Sequence, residues 1–341
     1  MYYNLDLFST YNKNFDVSNS NYISDCENYY NNFVKCNNKI DSCPHCNSTN
    51  IVKNGFLISG KNKHKRYKCK SCNRTFSEVT TSPLSYSKKD ISLWIAYLGC
   101  LAKGMTLKSI SMQLNINIKT AFAWRHKILS SIENKIMDKE LCHHVQIAEI
   151  IMRKNFKGNK IKPFELKKSR IINSQFTIPY NERIKIMSCV DDSENIILRG
   201  MDVKELSYNE ISSLLKPIVQ PKSILCAAKN FAYAYFAKQN NLKIALGLSH
   251  KYKSKNGEFL NNKKASGNGL DFIKYIAKFM GIATKYVNYY LALYVWEIKN
   301  RSTQFDTAVK GLFINLLNST KVLRTTDFKD VTIDGLIASA A

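Results

Sequence analysis

The sequence predicts a multidomain α/β protein in which a small cysteine-bearing β segment and a helical segment precede a mixed sheet with helices. Two C-x-x-C pairs lie within residues 42–76, beside short β-type runs at Ile51 to Ile58 and Tyr67 to Phe76. Apolar residues then recur at helical spacing over residues 87–140. From residue 145 onward, strand-like and helix-like runs follow in the order β-β-β-α-β-α-β, which favours one mixed α/β layer. The strands are predicted at Val145–Met152, Ile184–Val190, Asn195–Met201, Ser223–Ala227 and Lys243–Leu248. The helices between them are predicted at Tyr208–Ile218 and Phe231–Gln239, and a further helix at Leu270–Met280.

The composition indicates a basic protein with an anionic partner. The 341 residues are 45% apolar, enough to build real cores, and carry a formal net charge of +25. This excess favours nucleic acid first and an anionic membrane second, although a lysine-rich proteome would also raise the charge. No long uncharged apolar run predicts a membrane span, and residues 1–10 lack a signal-peptide pattern. We therefore expect a cytoplasmic, nucleoid-associated protein with no membrane partner.

Changes in composition along the chain predict the segment boundaries. Residues 1–41 are rich in Asn and Tyr, lack a clear period, and predict a poorly ordered or loosely docked arm. Residues 250–267 are polar and rich in Gly, Lys and Asn, which predicts a mobile loop. The other predicted segments are 42–86 for the cysteine-bearing region, 87–140 for the helical region, 141–285 for the α/β domain and 286–341 for C-terminal helices.

The cysteine pairs predict a structural metal site. Four of the ten cysteines form two C-x-x-C pairs with 22 residues between them: Cys43, Cys46, Cys69 and Cys72. Four thiolates at this spacing can close a tetrahedron around one zinc ion, which would replace the core that so short a segment lacks. His45 and His64 are alternative ligands, but four cysteines already satisfy the ion. Coincidental spacing is the competing interpretation.

A basic strip accompanies the predicted zinc ribbon. Residues 42–76 carry eight Lys or Arg and no Asp or Glu. The densest run lies between the cysteine pairs: Lys61, Lys63, His64, Lys65, Arg66 and Lys68. Such a run predicts contacts to phosphates, which carry no sequence information by themselves. A solvated run of charge is the alternative.

The helical region has the pattern of a helix-turn-helix. Ser87 and Asp90 form a capping-box pattern ahead of a first helix that ends near Gly104. Thr106 can cap a second, short helix, and a tight turn at 115–117 leads to a third. The start of the third helix combines polar and basic residues that suit the DNA major groove: Lys119, Thr120, Arg125, His126 and Lys127. An ordinary helical hairpin with a wet polar face is the alternative.

At this point the order of parts resembles the ISXO-like insertion-sequence transposases over roughly residues 43–300. That family combines a zinc ribbon, a helix-turn-helix and an RNase H-like catalytic domain. The matching stretches are Cys43-Pro-His-Cys46, Cys69-Lys-Ser-Cys72 with Arg74-Thr75-Phe76, Lys119 to Ile128, Phe156-Lys157-Gly158, Leu225-Cys226 with Asn230 and Tyr233, and Phe279 to Tyr286. The last stretch is the most specific match.

The resemblance implies DNA strand transfer by two divalent ions held among clustered carboxylates. The first family carboxylate, in an I-D-E pattern, matches Ala148 in this chain. The second, in a C-x-D-x-N pattern, matches Ala228, and the third is expected near Asn261 to Ser266. A methyl group cannot ligate magnesium, so we expect no magnesium and no intact catalytic set. Glu149 survives beside the first position, but strand alternation points it to the opposite face.

Other acids and histidines leave an altered metal site open as an alternative. Asp191, Asp192, Glu194 and Asp202 are expected to be solvated residues in or near a hairpin, although they form a possible compensating set. The His143-His144 pair is expected to be surface polarity, with a metal role as the alternative.

The resulting hypothesis is a transposase-like protein that binds double-stranded DNA without cleaving it. Its former catalytic domain would then serve as a basic scaffold or as the surface of a homo-oligomer. One alternative is an active DDE-type transposase with an altered metal site. Another is a zinc-dependent interaction protein without DNA function.

Overall fold

The computed structural model describes residues 21–36, 40–59, 62–136, 140–157, 183–202, 207–247, 261–319, 322–324, 327–329 and 333. The chain forms two compact units, Met1–Ile132 with Trp296–Asp330, and Glu133–Val295 with Val331–Ala341. The predicted C-terminal region 286–341 is therefore divided between the two units. None of the described helices is long and apolar enough to cross a membrane.

The cysteine-bearing segment of the first unit is a three-stranded antiparallel sheet. Strands β1 (Ile51–Ser59) and β2 (Asn62–Cys69) form a hairpin, and the short β3 (Thr75–Phe76) pairs with β2. The rings of Tyr67 and Phe76 stack with centroids 5.8 Å apart and fill most of the small core beside the cysteines. So small an apolar core leaves the segment dependent on another source of stability, as the sequence predicts.

Three helices follow, in the order that the sequence predicts: α2 (Ile91–Ala102), α3 (Leu107–Gln113) and α4 (Ile118–Ile136). Trp94 of α2 stacks on Trp124 of α4, with ring centroids 3.9 Å apart. The predicted capping box at the start of α2 is not formed. The helix begins at Ile91, and the Ser87 hydroxyl accepts a hydrogen bond of 3.0 Å from the indole N–H of Trp94 instead.

The helix that precedes the ribbon corrects the prediction of a poorly ordered arm for part of residues 1–41. Residues Asn21–Cys36 form α1, which packs against α2 and against α9 (Phe305–Leu317). Tyr22, Cys26 and Tyr30 are buried, and their spacing of four residues puts them on one face of α1. These three side chains anchor the helix, and Ile23, Tyr29, Phe33 and Val34 are half-buried beside them.

The second unit contains a five-stranded mixed sheet with strand order β6-β5-β4-β7-β8. Its strands are β4 (His144–Arg153), β5 (Arg183–Val190), β6 (Ile196–Asp202), β7 (Ile224–Ala227) and β8 (Lys243–Leu246). The first three pair antiparallel, whereas β7 and β8 run parallel to β4. Numbered within the unit, this order is 3-2-1-4-5, which is the RNase H-like arrangement that the sequence predicts.

Helices cover both faces of this sheet. On one face, α5 (Tyr208–Leu215) and α6 (Phe231–Gln239) enclose an apolar core with alternate residues of the strands. On the other face, α7 (Lys263–Ala277) packs against β4 and β5, and Gly269 lies against Ile150 where a Cβ atom would clash. Helix α8 (Val287–Lys299) follows α7 along the chain.

Two predicted boundaries differ from the structure. The helix predicted over Tyr208–Ile218 ends at Leu215, one turn early. The helix predicted from Leu270 begins at Lys263, within the predicted mobile loop. The residues before Leu270 include Gly267 and Gly269, and the low helix propensity of glycine argues against a helix there. Residues 250–260 of that loop lie outside the described residues.

Candidate metal centre and nucleic-acid interface

The four predicted ligand cysteines lie together at the base of the ribbon. The Sγ atoms of Cys43 and Cys72 are 3.6 Å apart, as are those of Cys46 and Cys69, and all four lie within 4.8 Å of one another. A zinc ion with four Zn–S bonds of about 2.3 Å requires sulfurs about 3.8 Å apart at the corners of a tetrahedron. The cluster is therefore close to the dimensions of a zinc site.

Local backbone geometry aims the sulfurs at one point. Asn47 and Asn73 each follow a cysteine pair and adopt left-handed φ angles of 58° and 56°, which asparagine tolerates better than most residues. The backbone amides of Cys72 and Ser71 point at the Cys69 sulfur and lower the pKa of that thiol to about 6. The thiolate is the form that ligates metals, so this turn favours metal binding.

The histidines considered as alternative ligands have other roles. Nδ1 of the buried His64 is 2.7 Å from the Glu78 carboxylate, and its Nε2 is 3.3 Å from the Tyr30 hydroxyl. Both ring nitrogens are therefore engaged, and His64 does not belong to the exposed basic strip. The His45 ring lies edge-on to Phe76, with centroids 6.3 Å apart.

The remaining described members of the basic strip are exposed. Lys63, Lys65, Arg66 and Lys68 all lie along β2 with solvent-exposed side chains. The predicted Lys61 lies outside the described residues. Arg66 also donates a hydrogen bond of 3.1 Å to the Thr75 hydroxyl. The four side chains remain exposed to solvent, where they can contact phosphates.

Three predicted DNA contacts on α4 are buried and must be corrected. The guanidinium of Arg125 donates to the carbonyl of Met105 at 2.6 Å. The Lys127 ammonium donates to the carbonyl of Ser85 at 2.7 Å, and burial lowers its pKa to about 8. His126 is also only 1% exposed. Side chains held in this way cannot reach a duplex.

A distant residue explains why this face of α4 is covered. Phe328 lies in a 3-10 turn near the end of the first unit. Its ring centroid is 5.7 Å from that of His126 and 5.8 Å from that of Phe122. Nothing in the periodicity of α4 could reveal a partner some two hundred residues later. Of the predicted helix contacts, Lys119 remains exposed and Thr120 half-buried in the first turn of α4.

In the second unit, both alanines at the family carboxylate positions lie on one face of the sheet. Gln146 of β4 pairs with Cys226 of β7, and continuing this parallel register by two residues puts Ala148 level with Ala228. Ala148 is 5% exposed, and Ala228 lies exposed just after β7. The register therefore puts the two alanines that the resemblance matches to family acids side by side.

The start of α7 lies beside Ala148 and is bonded to the neighbouring residues of β4. The Asn262 side-chain amide donates to the carbonyl of Ile147 at 3.2 Å, and the Gln146 side chain accepts from the Lys264 amide at 3.0 Å. The region 261–266, expected to hold the third family position, thus lies beside Ala148. Among the described residues, the one cluster of three or more Cys, His, Asp or Glu side chains able to hold a metal is the cysteine quartet.

The Glu149 side chain points to the sheet face opposite that of Ala148, as strand alternation predicts. Its carboxylate accepts a hydrogen bond of 2.7 Å from the Tyr233 hydroxyl on α6 and pairs with Lys185 at 2.8 Å. Burial and the neighbouring Glu149 charge raise the pKa of Tyr233 well above its usual range. Glu149 therefore has a structural role between β4, β5 and α6.

The remaining candidate acids and histidines belong to the β5–β6 hairpin. The sequence predicts a solvated Asp191, but this residue is buried and accepts bonds of 2.9 Å from the amides of Ser193 and Asn195. Asp192 pairs with His144 at 2.6 Å. Glu194 pairs with Lys264 at 2.8 Å at the surface, and this contact lowers the Glu194 pKa.

The two remaining candidate residues are His143, just before β4, and Asp202, at the end of β6. The backbone of His143 adopts a left-handed φ of 61° just before β4. The side chain of Asp202 lies outside the described residues. The described acids of the hairpin therefore hold the turn and do not meet at Ala148.

Comparisons with known proteins find two solved structures of low similarity. No family model matches the sequence, and no curated protein matches it. Two solved structures are similar at 10% identity: "Crystal structure of a pre-cleavage Mos1 transpososome", with 64% of this chain and 78% of that chain covered and a TM-score of 0.20, and "Mos1 transposase paired-end complex with left transposon end", with 67% and 80% covered and a TM-score of 0.19. Scores this low carry no argument about function.

The chain joins a ribbon whose four cysteines can hold a metal ion to a mixed α/β unit with RNase H-like strand order.

Proposed function

We propose that this protein is a DNA-binding relative of the ISXO-like transposases that grips duplex DNA without cutting it. The observation that carries the proposal is the solvent exposure of Lys63, Lys65, Arg66 and Lys68 along β2, in a ribbon segment that contains eight basic and no acidic residues. A hairpin braced by a metal site holds these cations in fixed positions, which suits regularly spaced phosphates better than a flexible tail does.

Zinc is the ion that suits the cysteine quartet best. Four thiolates at tetrahedral separations select zinc or an iron centre over magnesium or calcium, which prefer oxygen ligands. The ion would be structural, since four protein ligands leave no position open for a substrate or a water.

The DNA-binding proposal is tested by the dependence of affinity on salt. Each phosphate contact contributes about 0.9 to the slope of log K against log salt for B-DNA. We expect the quadruple Gln variant of Lys63, Lys65, Arg66 and Lys68 to reduce this slope by ~3 to 4 if all four side chains contact phosphates. Fluorescence anisotropy with a labelled duplex measures it.

A matched control removes the same charge from the second unit. Lys216, Lys222, Lys238 and Lys243 are exposed on elements of that unit, and their quadruple Gln variant has the same net charge as the ribbon variant. We expect its salt slope to stay within about one of the wild-type value. Equal slopes for the two variants would show that net charge alone governs binding and would refute a ribbon interface.

The absence of cutting is supported by Ala148 on β4 and Ala228 just after β7, which the strand register puts level with each other and which offer no side-chain oxygen to a divalent ion. A nicking assay with magnesium or manganese tests it, and we expect intact DNA after prolonged incubation. Cleavage that disappears in Glu149→Gln would favour the alternative of an active transposase with an altered metal site. Unchanged DNA affinity in the ribbon variant and in Lys119→Glu would favour a zinc-dependent interaction protein.

A further inference from the structure

One face of the ribbon hairpin combines exposed apolar and cationic side chains. We call it the outer face and define it by Phe56, Ile58, Lys63 and Lys65. Phe56 pairs with Lys65 and Ile58 with Lys63 across the antiparallel strands, so all four side chains emerge on the same side. Phe56 is 56% exposed and Ile58 is 74% exposed. Large apolar groups this exposed, so close to cations, are typical of a contact surface.

The opposite face of the hairpin is anchored. Leu57 pairs with His64, and His64 is 4% exposed with its ring held by Glu78 at 2.7 Å and Tyr30 at 3.3 Å. A bulge between Lys53 and Phe56 increases the local twist of β1. The anchor therefore fixes which side of the hairpin faces solvent, and the outer face is presented as a rigid surface.

The Lys63 ammonium is held over the aromatic ring of Phe56. The Lys63 ammonium lies 4.1 Å from the centroid of the Phe56 ring. This contact holds a charge beside an apolar group at a separation that suits a partner with anionic edges and an apolar interior. Duplex DNA offers both features in its major groove, where thymine methyl groups lie among the base edges between two lines of phosphates.

The width of the hairpin determines which nucleic-acid groove it can enter. Two paired strands lie about 4.8 Å apart, and with their side chains they fill a channel close to the ~12 Å width of the major groove. The minor groove, about 6 Å wide, does not admit them. The deep, narrow major groove of duplex RNA excludes them too.

We propose that the outer face enters the DNA major groove, with Lys63 and Lys65 on phosphates and with Phe56 and Ile58 against the C5-methyl groups of thymines. This inference rests on the proposed function and adds a base contact to it. The thymine methyl is the apolar group that the major groove displays, and it is missing from the minor groove. The hairpin would then favour A·T-rich sites by apolar contact.

The test compares two duplexes that differ in methyl groups alone. One is a duplex of alternating dA and dT, and the other carries deoxyuridine in place of every thymidine. We expect the wild-type protein to bind the deoxyuridine duplex about fourfold more weakly for each thymine methyl group that the outer face covers. The Phe56→Thr/Ile58→Thr double variant should bind the two duplexes equally, at the weaker affinity.

Controls separate this inference from the proposed function. Ile151→Thr changes a β-strand isoleucine that is 45% exposed in the second unit, and it should keep the wild-type preference for thymine. Circular dichroism and metal content establish that the double variant is folded. Binding without any preference for thymine in the wild-type protein overturns the inference and leaves the proposed function standing. Failure to bind either duplex overturns both.

Discussion

Restoring the acids to the second unit should create a metal site where none is expected now. The parallel register of β4 and β7 puts Ala148 level with Ala228, which directly follows β7, so Ala148→Asp/Ala228→Asp puts two carboxylates side by side. Position 148 is 5% exposed, and an uncompensated carboxylate buried there costs about 3–5 kcal/mol of stability. Repulsion between the two acids adds to this cost. The metal-free variant should therefore unfold at a lower temperature than the wild-type protein.

Manganese should recover much of this stability. A ligand at one hundred times its dissociation constant stabilises the folded state by about 2.7 kcal/mol. For a domain of this size, that free energy corresponds to a rise in Tm of roughly 5–10 °C. Differential scanning calorimetry with and without manganese measures the shift, and the wild-type protein should show none in the second unit.

An isosteric pair provides the control for charge. Ala148→Asn/Ala228→Asn has nearly the same side-chain volume but no negative charge, so its Tm should not respond to manganese. A manganese-dependent Tm in the wild-type protein would refute the argument, because it would reveal ions held without these two acids. An Asp variant that ignores manganese would show that the two positions do not face a common point.

Three further predictions concern stability. Removal of the metal by a chelator, or Cys43→Ser, should abolish DNA binding and ribbon structure while the second unit keeps its Tm, as calorimetry and circular dichroism would show. Burial lowers the pKa of Lys127 from its ordinary 10.5 to about 8, so the unfolded chain holds this proton to higher pH than the folded one. Stability should thus rise from about pH 8 toward 10.5 in the wild-type protein, and a parallel rise in Lys127→Met would contradict this assignment. Glu149→Gln breaks the ion pair with Lys185 and should lower the free energy of unfolding by about 1–3 kcal/mol without changing DNA affinity, as denaturant titration and anisotropy would test.

The sequence was sufficient for features that depend on local pattern. The five strands of the second unit were predicted within a few residues, because alternating or continuous apolar runs bounded by turn residues mark them. The cysteine quartet followed from spacing alone. The opposite orientations of Ala148 and Glu149 followed from the two-residue period of a strand.

Features set by long-range packing could not be predicted in this way. The docking of helix α1 depends on contacts with residues distant in sequence, such as Tyr30 with Phe313, whose ring centroids are 6.5 Å apart. The polar face of α4 looks solvated by its period, yet Phe328 covers part of it. A hydrophobic pattern gives the side of a helix that must be buried, but not whether a distant segment also buries the other side.

One apolar core of the second unit lies on the sheet face opposite Ala148 and Ala228. The cluster that includes Val145, Ile147 and Tyr233 packs beneath α5 and α6, whereas Ala148 and Ala228 lie on the α7 face. Adjacent carboxylates without ions repel one another, so replacing them with alanine removes a destabilising interaction and leaves the core unchanged. The RNase H-like strand order of this unit is therefore compatible with alanine at both positions.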